Sequence, residues 1–254
     1  MAMLRRSPSA GRFAEGRYRE LRSHWRRRIS RRLLLLVAIT WTTWLLVSWL
    51  GDGWVRWYGG FMLGAFVMMA VAVWTTPPES IQRWGAGAEG ERRTARELKA
   101  LERRGWHMTH DLDWPGAGNI DHLVIGTGGI FVIDSKAWNG VVSVDDAGAT
   151  ITPRDDADRA WTERGQRNHQ IRAARAVARA LAARSGAAVP APHSVVAVWA
   201  PFPQRVAVSG DVTYVAGDQL TDWLHSRPRQ LSREQVALAS VAVGADLLSE
   251  ALPA

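Results

Sequence analysis

The stretch NIDHLVIGTGGIFVIDSK, residues 119–136, decides the fold. Two runs rich in Ile, Val and Leu flank a glycine-containing turn, the signature of a β-hairpin. With Thr127 and Gly128 as a two-residue loop, Gly126 pairs with Gly129 and Asp121 falls opposite Asp134. Facing residues of an antiparallel pair lie on one face, with Cβ atoms about 5 Å apart. Asp134 and Lys136 stand two apart in a strand, so they share that face as well. Two facing carboxylates repel each other unless a cation neutralises them. Lys136 supplies one positive charge, and the plain structural reading is that it bridges two rim carboxylates. A divalent ion would supply two, and carboxylate oxygens suit Mg²⁺ or Mn²⁺.

Outward from the hairpin, the pattern predicts a helix over 87–104 and strands near 106–111, 119–126, 129–136 and 140–145. A polar loop leads into a long helix over about 158–185. Strands follow near 193–199 and 212–216, then helices near 218–226 and 232–251. Ser232 and Gln235 form a capping box for the last of these. The order is mixed α/β, with an antiparallel meander between two helices. In the first helix Glu91, Ala95 and Leu98 share one face, which brings Glu91 toward the sheet as a third acid. An acid in a first helical turn is also favoured by the helix dipole alone.

Before this region the chain is different in kind. Residues 33–50 carry no charge over 18 positions, and residues 57–76 none over 20. Each is long enough to cross a hydrocarbon core about 30 Å thick. The joining piece GDGWVR is too short for a domain, and Trp49, Trp54, Trp57 and Tyr58 sit where an aromatic belt would lie. A transmembrane hairpin is expected. A signal peptide fits less well, because no small-residue cleavage site follows and a second span comes at once.

Net charge is +8, but residues 1–32 hold eleven Arg and two Glu, a net of +9, leaving 21 basic and 22 acidic residues in the remainder. The high pI therefore belongs to an N-terminal arm, read as a disordered topology signal that also offers a surface to anionic lipid. Arg and Lys beside a span stay cytoplasmic, and two spans return the chain to the same side. The expected organisation is an Arg-rich cytoplasmic arm (1–32), a membrane hairpin (33–76), a linker (77–84) and a cytoplasmic domain (85–254) in a multi-pass protein of the cell membrane. The chain has no Cys, which excludes disulfides and Cys-ligated zinc.

Other signals carry less. GAGAEG, residues 85–90, matches a dinucleotide-binding glycine pattern but lacks the strand that must precede it. His107 and His110 stand three apart in a strand and face opposite sides, a poor metal pair. His122 should turn away from Asp121 as a packed or hydrogen-bonded histidine. Arg172, Arg175 and Arg179 form a basic stripe, read as a solvated helix face.

Four pieces in order, GAEGE (87–91), IDHLVIGTGGIFVIDSK (120–136), WNG (138–140) and NHQIRAA (168–174), resemble the nuclease-related domain (NERD) family of the PD-(D/E)XK nuclease superfamily. The resemblance spans roughly residues 85–200. It implies a restriction-endonuclease-like αβββαβ core with a mixed sheet, here preceded by two transmembrane helices. It also implies metal-dependent hydrolysis of nucleic-acid phosphodiesters, DNA above RNA, with Mg²⁺ or Mn²⁺ as cofactor. Asp121 and Asp134 resemble the family's metal-binding acids, with Ser135 lending its main-chain carbonyl. Lys136 resembles the motif lysine, Glu91 the helix acid that orders water at the metal, and Gln170 the polar residue of the following helix. Trp138 and Gly140 resemble a structural turn. The alternative expectation is a catalytically inactive nuclease fold that tethers nucleic acid or a protein to the membrane.

Overall fold

The computed structural model describes residues 9–114, 117–185 and 190–249. The chain divides into two compact units, Ala14–Gly85 and Ala86–Ala254 together with Met1–Phe13.

The first unit is built on α1 (Arg12–Leu50) and α2 (Gly53–Thr75). Both are long and apolar enough to cross a membrane, and only 0% and 11% of the residues in their apolar windows are buried. That exposure is the opposite of a soluble core helix. Small residues let the two helices close on each other: a Cβ on Gly59 would meet the Trp44 ring at 2.8 Å. The arm differs from expectation, because residues 12–32 continue α1 without a break rather than being disordered. Arg is a good helix former, and Glu15–Arg19 and Arg17–Glu20 pair at helical spacing. Residues 1–8 of the arm lie outside the described residues.

Helix α3 (Glu79–Glu102) starts eight residues earlier than the sequence pattern suggests, so 79–84, expected as part of a linker, are helical. Pro77 and Pro78 stop α2 and also start α3. The Pro78 carbonyl accepts from the N–H groups of Ile81 (2.9 Å) and Gln82 (3.1 Å), consistent with the tolerance of proline at a helix start.

The second unit centres on a six-stranded mixed sheet in the order β1-β2-β3-β7-β9-β8. Its strands are β1 (His107–Trp114), β2 (Gly118–Gly126), β3 (Gly129–Lys136), β7 (His193–Val198), β8 (Val206–Ser209) and β9 (Val212–Ala216). The meander β1-β2-β3 is antiparallel, while β3-β7 and β7-β9 are parallel. Alternation sorts the side chains onto two faces. Ile130, Val132, Leu123 and Ile125 pack with Ala173, Val177 and Leu181 of α4 (Gly165–Ser185) and Val236 and Ala239 of α6 (Arg233–Ser249). Phe131, Ile133 and Val124 pack on the opposite face with Leu98 and Leu101 of α3 and Leu220 and Leu224 of α5 (Leu220–His225). The result is the αβββαβ order expected from sequence, in three layers.

Two parts of the region depart from expectation. The strand at 141–145 does not extend the meander. As β4 it joins β5 (Gly148–Thr152) and β6 (Trp161–Glu163) in a separate three-stranded sheet, and α4 begins only at Gly165. The expected strand at 212–216 forms as β9, but β8, which pairs with it through a turn at Gly210 and Asp211, is a further addition; Gly210 has φ +55°. At the last helix, the Ser232 hydroxyl accepts from the Gln235 N–H (3.1 Å), and the Gln235 side chain accepts from the Ser232 N–H (2.8 Å). The expected end of that helix at 251 lies outside the described residues.

Gly126 closes the deciding hairpin, and the Trp106 ring lies flat against it. A Cβ there would fall 2.0 Å from that ring. Gly126→Ala is therefore expected to cost about 3 kcal/mol, the upper range of overpacking, seen as a fall in the thermal midpoint with no shift for Gly128→Ala of comparable size.

Candidate active site at the end of the β2–β3 hairpin

The β2–β3 register runs from Gly126↔Gly129 to His122↔Ile133. The next step along it brings Asp121 to Asp134. The ladder does not continue there. Instead the Ser135 N–H donates to Asp121 Oδ2 at 2.8 Å. The alternation that buries Val132 against α4 carries Asp134 and Lys136 to the same side. Lys136 Nζ lies 2.9 Å from Asp134 Oδ2. Asp121, Asp134 and Gln170 of α4 line one narrow crevice, together with Asn119 and His169.

Glu91 enters from α3. The helix presents Ala88, Glu91, Thr94, Leu98 and Leu101 inward, and Glu91 is only 6% exposed. Its Oε2 is buried without a hydrogen-bond partner, as are Asp111 Oδ1 and the Gln170 side-chain oxygen. Buried polar atoms without partners are uncommon and mark a site of function or strain.

Electrostatics tie the acids together. Burial, then Asp111 and Asp134, push the Glu91 carboxyl up to about 7, against the easing effect of Lys136 and the Gly11 N–H. Burial, then Asp134 and Glu91, hold Asp121 well above the usual carboxylate range, against Lys136 and the Ser135 N–H. Burial works against a charged Lys136, yet Asp134 and Asp121 outweigh it and raise its pKa. One amine thus faces more acid than it can neutralise.

The raised Glu91 pKa makes a prediction with a definite sign. Between the usual 4.5 and about 7 the folded state holds a proton that the unfolded state has released. Stability from this group therefore falls as pH rises through that window and levels off above it. Glu91→Gln removes the effect, so the thermal midpoint of the variant minus that of the wild type is expected to grow from pH 4.5 to 7 and then stay constant. A pH series of thermal melts on both proteins reads it.

The reverse face of the same strand end is polar too. Ser135 Oγ meets Thr94 Oγ1 at 2.7 Å and His122 Nε2 at 3.1 Å. His122 Nδ1 meets His110 Nδ1 at 2.7 Å, and the Trp199 indole N–H donates to Thr94 Oγ1 at 2.7 Å. Burial holds both imidazoles below the usual histidine pKa, most strongly His122, which is also opposed by His110. His122 is the packed, hydrogen-bonded histidine its position suggests. Arg172, Arg175 and Arg179 are all exposed on α4.

Sequence reasoning missed Asp111. It lies across from Asp121 in the β1–β2 register but drops out of the ladder, with φ +55°. Asp is among the residues that tolerate that conformation. Its Oδ2 accepts from the Phe13 N–H at 2.9 Å. Carrying the register arithmetic one strand further, from β2–β3 to β1–β2, points to it. The amides of Gly11 and Phe13 had no sequence signal.

The two carboxylates, Asp121 and Asp134, suit a hard divalent cation in chemistry and in charge, and the crevice they line also holds the Asn119, His169 and Gln170 side chains. Among the described residues no group of three His, Cys, Asp or Glu side chains is gathered closely enough to hold a metal ion. The carboxylates that line the crevice are those of Asp121 and Asp134.

Residues 86–199 match the NERD family, described as the nuclease-related domain. The match covers just under half of the chain and contains Glu91, Asp111, Asp121, Asp134, Ser135, Lys136 and Gln170, while α1 and α2 lie outside it. No curated protein and no solved structure matches the chain.

Proposed function

Proceeding from that nuclease-related match, we propose that the chain is a membrane-anchored, metal-dependent nuclease that hydrolyses DNA phosphodiesters. The observation that carries the reading is the gathering of Glu91, Asp121 and Asp134 around one lysine at the mouth of a crevice. Asp121, Asp134 and the Ser135 carbonyl would hold Mg²⁺ or Mn²⁺, which would supply Lewis-acid polarisation of the phosphate and a lowered pKa for water. Lys136 places its ammonium where negative charge grows on the phosphate oxygens. Glu91, with a pKa near neutrality, takes a proton from the attacking water. Gln170, with a free buried side-chain oxygen, orients water or substrate on the α4 side.

Helices α1 and α2 form the membrane hairpin, with the Arg-rich end of α1 and the nuclease domain cytoplasmic. A reporter fused after Ala254 is expected to give a cytoplasmic signal; an external signal overturns the two-span topology.

The test uses the full chain in detergent with end-labelled DNA and RNA. Cleavage of DNA that needs Mg²⁺ or Mn²⁺ and stops with chelator supports the reading. No Mn²⁺ binding and no cleavage of either polymer across pH and metal series overturns it. A second reading, a non-catalytic module tethering nucleic acid or a protein to the membrane, is favoured by one observation. Lys136 already pairs with Asp134, and no three-ligand metal cluster is gathered among the described residues.

A further inference from the structure

The unit formed by Ala14–Gly85 holds an open cleft of about 400 Å³, lined by Tyr18, Arg22, Thr75, Thr76, Pro77, Gln82 and Gly85. Its volume falls in the range of small-ligand sites, about 300–1,000 Å³. Tyr18, Arg22 and Arg26 recur at four-residue spacing and so form one stripe along α1. The Arg22 guanidinium lies 5.6 Å from the Tyr18 ring centre, and that of Arg26 lies 4.6 Å from the Trp74 ring centre. Stacking holds both cations in place without neutralising them. Neither has an acidic partner among the described residues, and the Nε of each is buried with no hydrogen-bond acceptor. A buried, unpartnered guanidinium N–H costs free energy until an anion meets it. Around the same cleft the Thr76 hydroxyl has no partner among the described residues, whereas Thr75 is engaged with Val71 O at 2.9 Å.

The position of the cleft identifies the anion. Trp74 closes the apolar run of α2 and donates its indole N–H to Ser30 Oγ at 3.1 Å. Tryptophan at the end of a span lies at headgroup depth. Thr75 and Thr76, the next two residues, are cleft walls, so the cleft opens at the level of lipid phosphates. Arginine binds phosphate through paired N–H donors in a fixed plane.

We infer that this cleft is a phosphate-binding site for the headgroup of an anionic phospholipid, with Arg22 as its central donor, Arg26 beside it and Thr76 as a hydroxyl donor. The inference rests on the membrane reading of α1 and α2 and is independent of nuclease activity. It assigns to one cleft what a diffuse Arg-rich arm would spread over the whole segment.

The test reconstitutes the full chain in phosphatidylcholine vesicles and in nanodiscs containing a minor fraction of phosphatidylglycerol, then measures lipid retained after extraction into detergent by native mass spectrometry. Arg22→Ala is compared with Arg27→Ala, which removes the same charge from an exposed position outside the cleft. Retention of phosphatidylglycerol is expected to fall about tenfold in Arg22→Ala, the worth of one charge-assisted hydrogen bond, and to stay near wild type in Arg27→Ala. Thr76→Val, which alters no charge, is expected to lower retention too, so the result does not depend on one variant folding. Equal losses in Arg22→Ala and Arg27→Ala overturn the site. If inorganic phosphate raises the thermal midpoint of wild type but not of Arg22→Ala, and no lipid is retained, the site stands with free phosphate as its ligand. A chain that fails to float with vesicles overturns the membrane reading and the lipid assignment together. A chain that floats but retains no anionic lipid and gains nothing from phosphate overturns this inference alone.

Discussion

Asp121→Asn is expected to make the full chain more stable while abolishing Mn²⁺ binding and DNA hydrolysis. Asp121 holds its carboxyl far above the usual range because burial and the charges of Asp134 and Glu91 oppose ionisation. A shift of that sign makes the charged form costly in the folded state, so removing the charge is expected to raise the thermal midpoint. Asparagine keeps an oxygen for the Ser135 N–H at the same position, so the strand end stays closed. A functional charge kept against the stability of the fold is the usual trade in an active site. Metal affinity is expected to fall more than about 100-fold, since even residues that only support a ligand cost 10- to 100-fold. Calorimetry with Mn²⁺, thermal melts and the DNA assay read the three effects. A gain in stability with no metal binding or hydrolysis in the wild type would move the balance to the tethering module.

Lys136→Met is expected to abolish hydrolysis with the opposite effect on stability. Removing one partner of a buried ion pair leaves an uncompensated charge and costs 3–5 kcal/mol. Lys136 is 30% exposed, which places it at the low end, about 3 kcal/mol. For a chain of this size that corresponds to a fall of about 6–12 °C in the thermal midpoint. Glu91 and Asp121, both eased by Lys136, are expected to move further up in pKa. Hydrolysis is expected to fall about 10²- to 10³-fold, as when one preorganised donor is lost. Two variants that lose activity alike while their stabilities move in opposite directions separate loss of chemistry from loss of fold.

The central hairpin was legible because a two-residue turn leaves only one register that keeps both Val132 and Leu123 inside. A slip of one residue would have put Asp134 and Lys136 into the apolar face against α3 and α5. Glu91 was legible from helical periodicity, though the start of α3 was not. Three glycines at 85, 87 and 90 lower helix propensity by about 1 kcal/mol each, which hid the early start of that helix. Tertiary contact outweighs this at Gly90, where a Cβ would come within 3.3 Å of Ala137. The small second sheet was hidden by its brevity. Ala149 and Ile151 alternate inward against Val142 and Val144, but two residues of alternation do not stand out from a polar loop. Asp111 was hidden because a kinked residue breaks the very period that would reveal it.

The contacts of Gly11 and Phe13 bear on how the domain is cut for assay. A soluble fragment begun at residue 80, the natural choice for avoiding α1 and α2, discards the backbone N–H that favours ionised Glu91 and the one that Asp111 accepts at 2.9 Å. The Gly11 amide acts to keep the Glu91 carboxylate charged. Without the Gly11 amide the Glu91 pKa is expected to rise further, and the optimum of any reaction in which it takes a proton to shift alkaline. A truncated enzyme assayed at neutral pH would then look sluggish for a reason far from its motif. Supplying residues 9–13 as part of the protein, or raising the assay pH, restores the working protonation state.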